Sequence, residues 1–363
     1  DGPALLEKET LVTEVKTLSK GDAEFNAYLM GTFSKTHRAL PVSTLNANSV
    51  RETVTFEIKP LSEISRPSLA QVSVYLLKVR AFILVLFPLF LLLVKNTADK
   101  TIKDPLVVVI STLGILSAYI AVNLRNDFTD HMKGLDRINP HAGSRVIQRG
   151  WMTASQVRNW AHFFVLLATV FAGMVIFAFP EVIGVVLLTF MVSIWAQFLQ
   201  KGSFKYHKGG EFFVYLLLGP LLSTGYQISI SGFWDIESLY LGMIWGWLVV
   251  FLQHMKNFEY IMINAQAKFH NTVTWLGFDR SKTLIKVWWT LFVVQFLAYH
   301  YRYAGIFWTW FLGAVLVFCS MPLFISLGHL HSSIGSDLVR VRRIGYGLVL
   351  LSLFLWASEN IWY

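Results

Sequence analysis

Residues 123–136 read NLRNDFTDHMKGLD, and they are where an apolar chain abruptly becomes polar. A run rich in Val, Ile, Leu and Ala precedes them, and five side chains that bind through oxygen (Asn123, Asn126, Asp127, Asp130 and Asp136) then follow within 14 residues. Carboxylates next to membrane depth are costly and mark function by default. Asp127 and Asp130 stand three apart, so on a helix both carboxylates leave from one face, with Asn123 and Asn126 on the same side. With Lys133 and Arg145 nearby, this face suits Mg²⁺ holding a diphosphate. That metal takes few protein carboxylates plus phosphate oxygens, and cations neutralise the remaining charge. A solvated helix end with ordinary surface charges has the same spacing, and spacing alone leaves both readings open.

The rest of the chain places this stretch in a membrane. Of the 363 residues, 55% are hydrophobic and only 15% charged, and the mean hydropathy is +0.52. Soluble domains carry about 25% charge. The net charge of +9 fits cationic loops beside anionic lipid. No basic run interleaves with aromatics, so nucleic acid is not an expected partner. The single cysteine, Cys319, excludes an intrachain disulfide framework and a Cys-based zinc site, and reads as packing.

Nine apolar stretches reach the roughly 17–25 residues that a span needs. They lie near 79–97, 105–125, 158–179, 181–200, 211–231, 237–255, 284–302, 305–328 and 343–361. Pro180 reads as a sharp turn between the third and fourth stretches. Pro220 interrupts the fifth in a way that membrane helices tolerate. The predicted fold is thus an all-α integral membrane bundle of nine helices. Lys and Arg gather in alternate loops: Lys78, Arg80; Arg125 to Arg158; Lys201 to Lys208; Lys256 to Lys286; Arg340 to Arg343. This places those loops and the N-terminus in the cytoplasm (or on a matrix or stromal side) and the C-terminus opposite. Trp234, Tyr240, Trp308, Trp310, Trp356, Trp362 and Tyr363 read as an interfacial belt, and the Trp245–Trp247 region with Gly242 and Gly246 as close helix packing.

Residues 1–65 form a polar arm with neither a signal-peptide pattern nor an apolar stretch long enough to span. Within it, residues 52–59 alternate like a strand that Pro60 ends. The expected division is a cytoplasmic arm at 1–65, a docking piece for protein partners, and a membrane domain at 66–363 beside lipid.

The motif NDFTDHMKGLD, followed by SRVIQRGWMTASQV at 144–157, resembles the first signature of the UbiA superfamily of intramembrane prenyltransferases, and most closely its 1,4-dihydroxy-2-naphthoate branch. A second stretch, KYHKGGEFFVYLLLGPLLSTGYQ at 205–227, is similar to that branch's segment around a glutamate, here Glu211, with Lys208 where its first glycine would stand. The resemblance covers roughly residues 75–361. It implies nine helices around a lipid-facing cavity, a polyprenyl diphosphate held through Mg²⁺ by two Asp-rich motifs, and transfer of the prenyl group to an aromatic quinone precursor or lipid-like acceptor. It further implies Asp127 and Asp130 on Mg²⁺, Asn123 and Asn126 in support, Lys133, Arg145 and Lys256 on diphosphate, and Glu211 near the acceptor. Loss of diphosphate leaves an allylic cation, which calls for a dry site and a stabilised leaving anion.

The second Asp-rich motif departs from the family. Residues 253–264 read QHMKNFEYIMIN. Lys256 stands for the family's arginine, but Asn257 and Ile261 (or Asn264, with an insertion) replace its aspartates. Asparagine is a poorer partner than carboxylate for a hard cation. His254 and His270 read as plain polar loop residues, and His329 and His331, two apart, do not share a helix face. Three readings stay open: an active transferase using one metal plus cations, a degenerate homologue that holds a lipid, quinone or isoprenoid without transfer, and a structural subunit of a larger membrane assembly.

Overall fold

In the computed structural model, residues 14–65, 67–139, 143–194, 204–303, 305–333 and 336–362 are described. Lys8, Lys201, Tyr363 and the end of the fourth apolar stretch, 195–200, lie outside them. In chain order the elements are β1 (Glu14–Ser19), α1 (Phe25–Met30), β2 (His37–Leu45), β3 (Thr53–Pro60), α2 (Leu69–Leu77), α3 (Ile83–Ala98), α4 (Pro105–Lys133), α5 (Leu135–Ile138), α6 (Ala154–Ala178), α7 (Ile183–Ile194), α8 (Gly210–Leu218), α9 (Pro220–Ser231), α10 (Ile236–Glu259), α11 (Ile261–Gln266), α12 (Thr272–Leu276), α13 (Phe278–Tyr303), α14 (Ile306–His329) and α15 (Ser336–Trp362). They fall into two units, one of residues 1–78 with 124–160, the other of 79–123 with 161–363. The Asp-rich stretch therefore groups with the N-terminal segment.

In the first unit β3 is the middle of a three-stranded antiparallel sheet of order β1-β3-β2. Its alternation is what the sequence shows: Val54, Phe56 and Ile58 are buried while their neighbours face outward, because successive strand residues point to opposite faces. Leu18, Phe25 and Leu29 complete that small core. Pro41 sits on the edge strand β2 beside an irregularity in the register, where a missing N–H is tolerated. A buried ion pair fastens α5 to the start of β3: Arg137 Nη2 donates to Glu52 Oε1 at 2.6 Å, with side chains 0% and 1% exposed. Arg137 Nε also donates to the carbonyl of His131, and His131 Nε2 meets the carbonyl of Leu29 at 3.1 Å.

The second unit is helical. Among the described residues, five helices are long and apolar enough to cross a membrane: Pro105–Lys133, Ala154–Ala178, Gly210–Ser231, Ile236–Glu259 and Ile306–His329. Ile83–Ala98 and Pro180–Ile194 are shorter apolar helices. The chain is a multi-pass integral membrane protein. Trp234, Tyr240, Trp308 and Trp310 are exposed, as a belt requires. Trp356 corrects that reading. It is fully buried against Phe87 and Phe296, because the inner face of α15 carries it into the core whatever its height along the helix.

The fifth span breaks at Gly219–Pro220 into α8 and α9. A Cβ on Gly219 would lie 2.5 Å from the carbonyl oxygen of Tyr215 and 2.6 Å from that of Gly242. One on Gly246 would lie 2.7 Å from the Tyr215 ring. Glycine at these positions lets α10 approach the break, as the Gly242/Gly246 spacing predicts. Two groups of polar side chains in this unit pair with one another. Asn96 and Gln227 exchange amide hydrogen bonds of 2.7 and 3.1 Å. Lys95 gathers Asp99 and Asp235 at 3.3 Å and Glu237 at 3.6 Å.

Candidate functional site

In the first unit, Asp127, Asp130 and Asp136 are all but completely buried, at 1%, 2% and 1% exposure. Asp127 and Asp130 leave one face of α4, as their spacing predicts. Charges this deep require counter-charges, and the structure supplies one that lies 49 residues away in sequence. Lys78, in the left-handed conformation that caps α2, places Nζ 2.5 Å from Asp127 Oδ1. The backbone N–H of Ser144 approaches Asp127 Oδ2 at 3.3 Å. Burial alone would lower the Lys78 ammonium's pKa, but the carboxylates of Asp127, Asp136 and Asp130 outweigh it and hold the group above its ordinary value of 10.5. The ammonium is thus charged at neutral pH; its contribution is present below about pH 10.5 and lost as pH rises through the raised value.

The loop after α5 wraps the same carboxylates. Gly143 has φ +68°, and a Cβ there would lie 2.5 Å from Asp136 Oδ2, so the backbone is pressed against the acid. Arg145 Nη1 donates to the carbonyls of Asp136 at 2.6 Å and Asn139 at 3.2 Å. Burial draws its guanidinium pKa down, against the pull of Asp136. Arg145, expected on diphosphate, here fixes the loop. Asn126 and Lys133 are partly buried on α4. Asn123, one turn earlier on that helix, has a buried Nδ2 without a hydrogen-bond partner.

The second cluster lies within the second unit. Glu211, in the first turn of α8, is 6% exposed, where the helix N-terminus favours a carboxylate. The left-handed turn before it falls on Gly209, with φ 79°. Lys208 therefore occupies a position that needs no glycine, which explains why the departure at that residue is tolerated. Thr272, at the start of α12, receives the N–H of Gly209 at 2.8 Å and donates its hydroxyl to Glu211 Oε2. His254 Nδ1 lies 3.1 Å from Glu211 Oε1. This overturns the reading of His254 as a loop residue. It lies inside α10 and is 0% exposed, because the helix continues to Glu259 and turns this position inward with Phe251 and Phe258. Glu211 also lines a small open crevice with Lys205, His207, Gln253, Asn257 and Asn271.

The residues at the altered second motif follow suit. Asn257 reaches the crevice with a neutral amide, whereas Ile261 is buried in the main hydrophobic core. Glu259, the nearest acid, is ion-paired to Arg342. Lys256 is exposed on the last turn of α10. Among the described residues, no three of His, Cys, Asp and Glu converge as ligands for one metal ion. The donor chemistry therefore suits at most one Mg²⁺, on Asp127 and Asp130, with the Lys78 ammonium at the oxygen where the ion would bind. Among the described residues, no carboxylate answers for a second.

No protein-family model and no curated protein matches the chain. Solved structures do. The chain is similar to a UbiA homologue from Archaeoglobus fulgidus bound to DMAPP and Mg²⁺, with 13% identity and a TM-score of 0.52, over 78% of this chain and 98% of that one. The same homologue bound to GPP and Mg²⁺ gives 12% identity and a TM-score of 0.51, over 78% and 99%. This chain has the fold of a UbiA homologue.

Proposed function

We propose that the protein is a UbiA-type membrane prenyltransferase that takes an allylic polyprenyl diphosphate and transfers the prenyl group to an aromatic quinone precursor or a lipid acceptor. In this reading residues 66–363 form the nine-span domain and 1–65 its polar cytoplasmic arm, open to protein partners. The observation that carries it is the burial of Asp127 and Asp130 on one face at the end of a membrane helix, beside the Lys78 ammonium. A chain with no use for these charges has no reason to bury them. The A. fulgidus homologue's DMAPP, GPP and Mg²⁺ support the donor class and the metal.

Mg²⁺ on Asp127 and Asp130 would neutralise the departing diphosphate. Lys78 and Lys133 would set their ammonium groups against the diphosphate, and the resemblance assigns Lys256 to the same anion. Arg145 holds the 136–139 loop in place for that change, and Asn123 and Asn126 offer amides. As the C1–O bond breaks, the diphosphate keeps the electron pair, C1 bonds to the acceptor, and the acceptor gives up a proton. The resemblance assigns Glu211 to the acceptor.

One observation favours a second reading. Asn257 and the core position of Ile261 leave the second motif without acid, which suits a homologue that binds an isoprenoid or quinone without transferring. Incubating the purified chain with Mg²⁺, labelled geranylgeranyl diphosphate and a dihydroxynaphthoate separates the two. A prenylated product that disappears in Asp127→Ala is the expected result. Donor binding without product under any acceptor supports the second reading against the first.

A further inference from the structure

In the first unit, α2 is an apolar helix that turns most of itself outward. Its nine residues, LAQVSVYLL, carry no charge. Leu76 is buried, yet Leu69, Val74 and Tyr75 are 87%, 52% and 44% exposed, with Ala70, Gln71 and Ser73 exposed beside them. Both ends are fixed locally. Ser68 and Gln71 form a capping box at the start, and Lys78 closes the helix in the left-handed conformation. The next residue, Val79, opens the first apolar stretch of the sequence. A contiguous exposed apolar surface marks a site for a protein partner or for a membrane, and the junction with a membrane stretch favours the membrane.

The turn at 149–151 sets a cation into this patch. The exposed Arg149 guanidinium lies 4.6 Å from the Tyr75 ring centroid and 4.8 Å from that of Trp151. It occupies the corner that the two rings make edge to face, at 5.6 Å and 75°. Trp151 is itself anchored, its indole N–H donating to Ser65 Oγ at 3.1 Å. The rings fix the cation through its charge, and a guanidinium held this way suits the paired hydrogen bonds of a phosphate. The surrounding charge is of one sign. Residues 64–79 and 144–160 hold Arg66, Lys78, Arg145, Arg149 and Arg158 and neither Asp nor Glu. Lys78 and Arg145 are engaged with the Asp-rich stretch, whereas Arg149 stands among the exposed aromatics.

We propose that α2 and the 149–151 turn form a docking surface for the membrane leaflet, in which Arg149 binds the phosphate of an anionic phospholipid. Leu69, Val74 and Tyr75 enter the boundary between headgroups and acyl chains, where apolar side chains of surface helices settle. Two observations select this occupant: the chain runs from α2 straight into a membrane stretch, and an acid-free aromatic surface with a fixed guanidinium complements an anionic leaflet. The surface uses neither Asp127 nor Asp130, and it does not depend on the prenyltransferase reading.

The test places a bimane label on α2 of the full chain, at Ser73→Cys in a Cys319→Ser background, in phosphatidylcholine nanodiscs doped with nitroxide-labelled lipid. A label at Val50→Cys, where the native residue is 91% exposed between β2 and β3, is the reference. Quenching at 73 is expected to exceed that at 50 severalfold. Nitroxide phosphatidylglycerol is expected to quench at 73 with about fivefold preference over nitroxide phosphatidylcholine, the effect of one cation near an anionic surface. Arg149→Gln removes that preference and keeps the quenching by phosphatidylcholine. Leu69→Ser with Val74→Ser lowers quenching by both lipids and keeps the preference. Inorganic phosphate, matched to chloride in ionic strength, leaves the preference unchanged. Quenching at 73 no greater than at 50 overturns the proposal and returns α2 to a protein partner. A preference that is absent from the wild type, survives Arg149→Gln or is displaced by inorganic phosphate overturns the headgroup assignment. So does an Arg149→Gln variant that loses quenching by both lipids alike, which would make the arginine a support for α2.

Discussion

Replacing Arg137 by Met is expected to loosen the first unit by about 3–5 kcal/mol, the range for breaking a buried ion pair by removing one partner. The reason is geometric. Glu52, 1% exposed, would keep its charge while losing its 2.6 Å donor. The carbonyl of His131 would lose its Arg137 Nε hydrogen bond as well. Hydrogen exchange of the β3 amides reads the effect directly, with protection falling on the order of a hundred- to several thousandfold. Removing both charges, as Glu52→Leu with Arg137→Leu, is expected to recover much of the loss, because a paired buried charge contributes little net stability while an orphaned one is costly. Additive losses would show that the pair matters for shape rather than charge.

Lys78→Met is expected to destabilise the end of α4 by about 2–3 kcal/mol, below the range for a fully buried pair, since the Lys78 side chain is 26% exposed. The informative part is the response to metal. Without the ammonium, Asp127 and Asp130 present two carboxylates on one helix face with nothing between them and a hard cation. Millimolar Mg²⁺ should then restore the exchange protection of residues 127–133 in the variant, while the wild type, whose lysine competes for the same oxygen, responds less. A variant that stays loose in Mg²⁺, or a wild type that responds more strongly, would show that Lys78 is not placed where the metal binds.

Much of this was legible in the residues. The β3 strand was readable from the alternation of Val54, Phe56 and Ile58, and Pro60 ends it as expected. Among the described residues, five of the nine apolar stretches fall on helices long and apolar enough to span, legible because the length a span needs is set by the bilayer, not by neighbours. The Asp127/Asp130 face followed from helix geometry alone. What was not legible depended on partners far along the chain. Lys78 reaches Asp127 across 49 residues and Thr272 reaches Glu211 across 61, separations for which no local pattern exists. His254 did leave a signal: with Phe251 and Phe258 it lies at spacings of three and four, the inward stripe of a helix. Its polar neighbours Gln253, Lys256 and Asn257 masked that stripe. Trp356 was misread for a related reason, since nearness to a helix end fixes height and says nothing of which face a side chain takes.

In the proposed function, Asp127 and Asp130 serve a diphosphate with a single metal. Calorimetric titration of the purified chain with geranylgeranyl diphosphate, at stepped Mg²⁺ concentrations, tests it most directly. The account predicts binding that Mg²⁺ strengthens, with one ion taken up per diphosphate, and an Asp127→Asn variant whose remaining affinity no longer responds to Mg²⁺. Binding indifferent to Mg²⁺ in the wild type, uptake of two ions, or no binding of the diphosphate at all would contradict it.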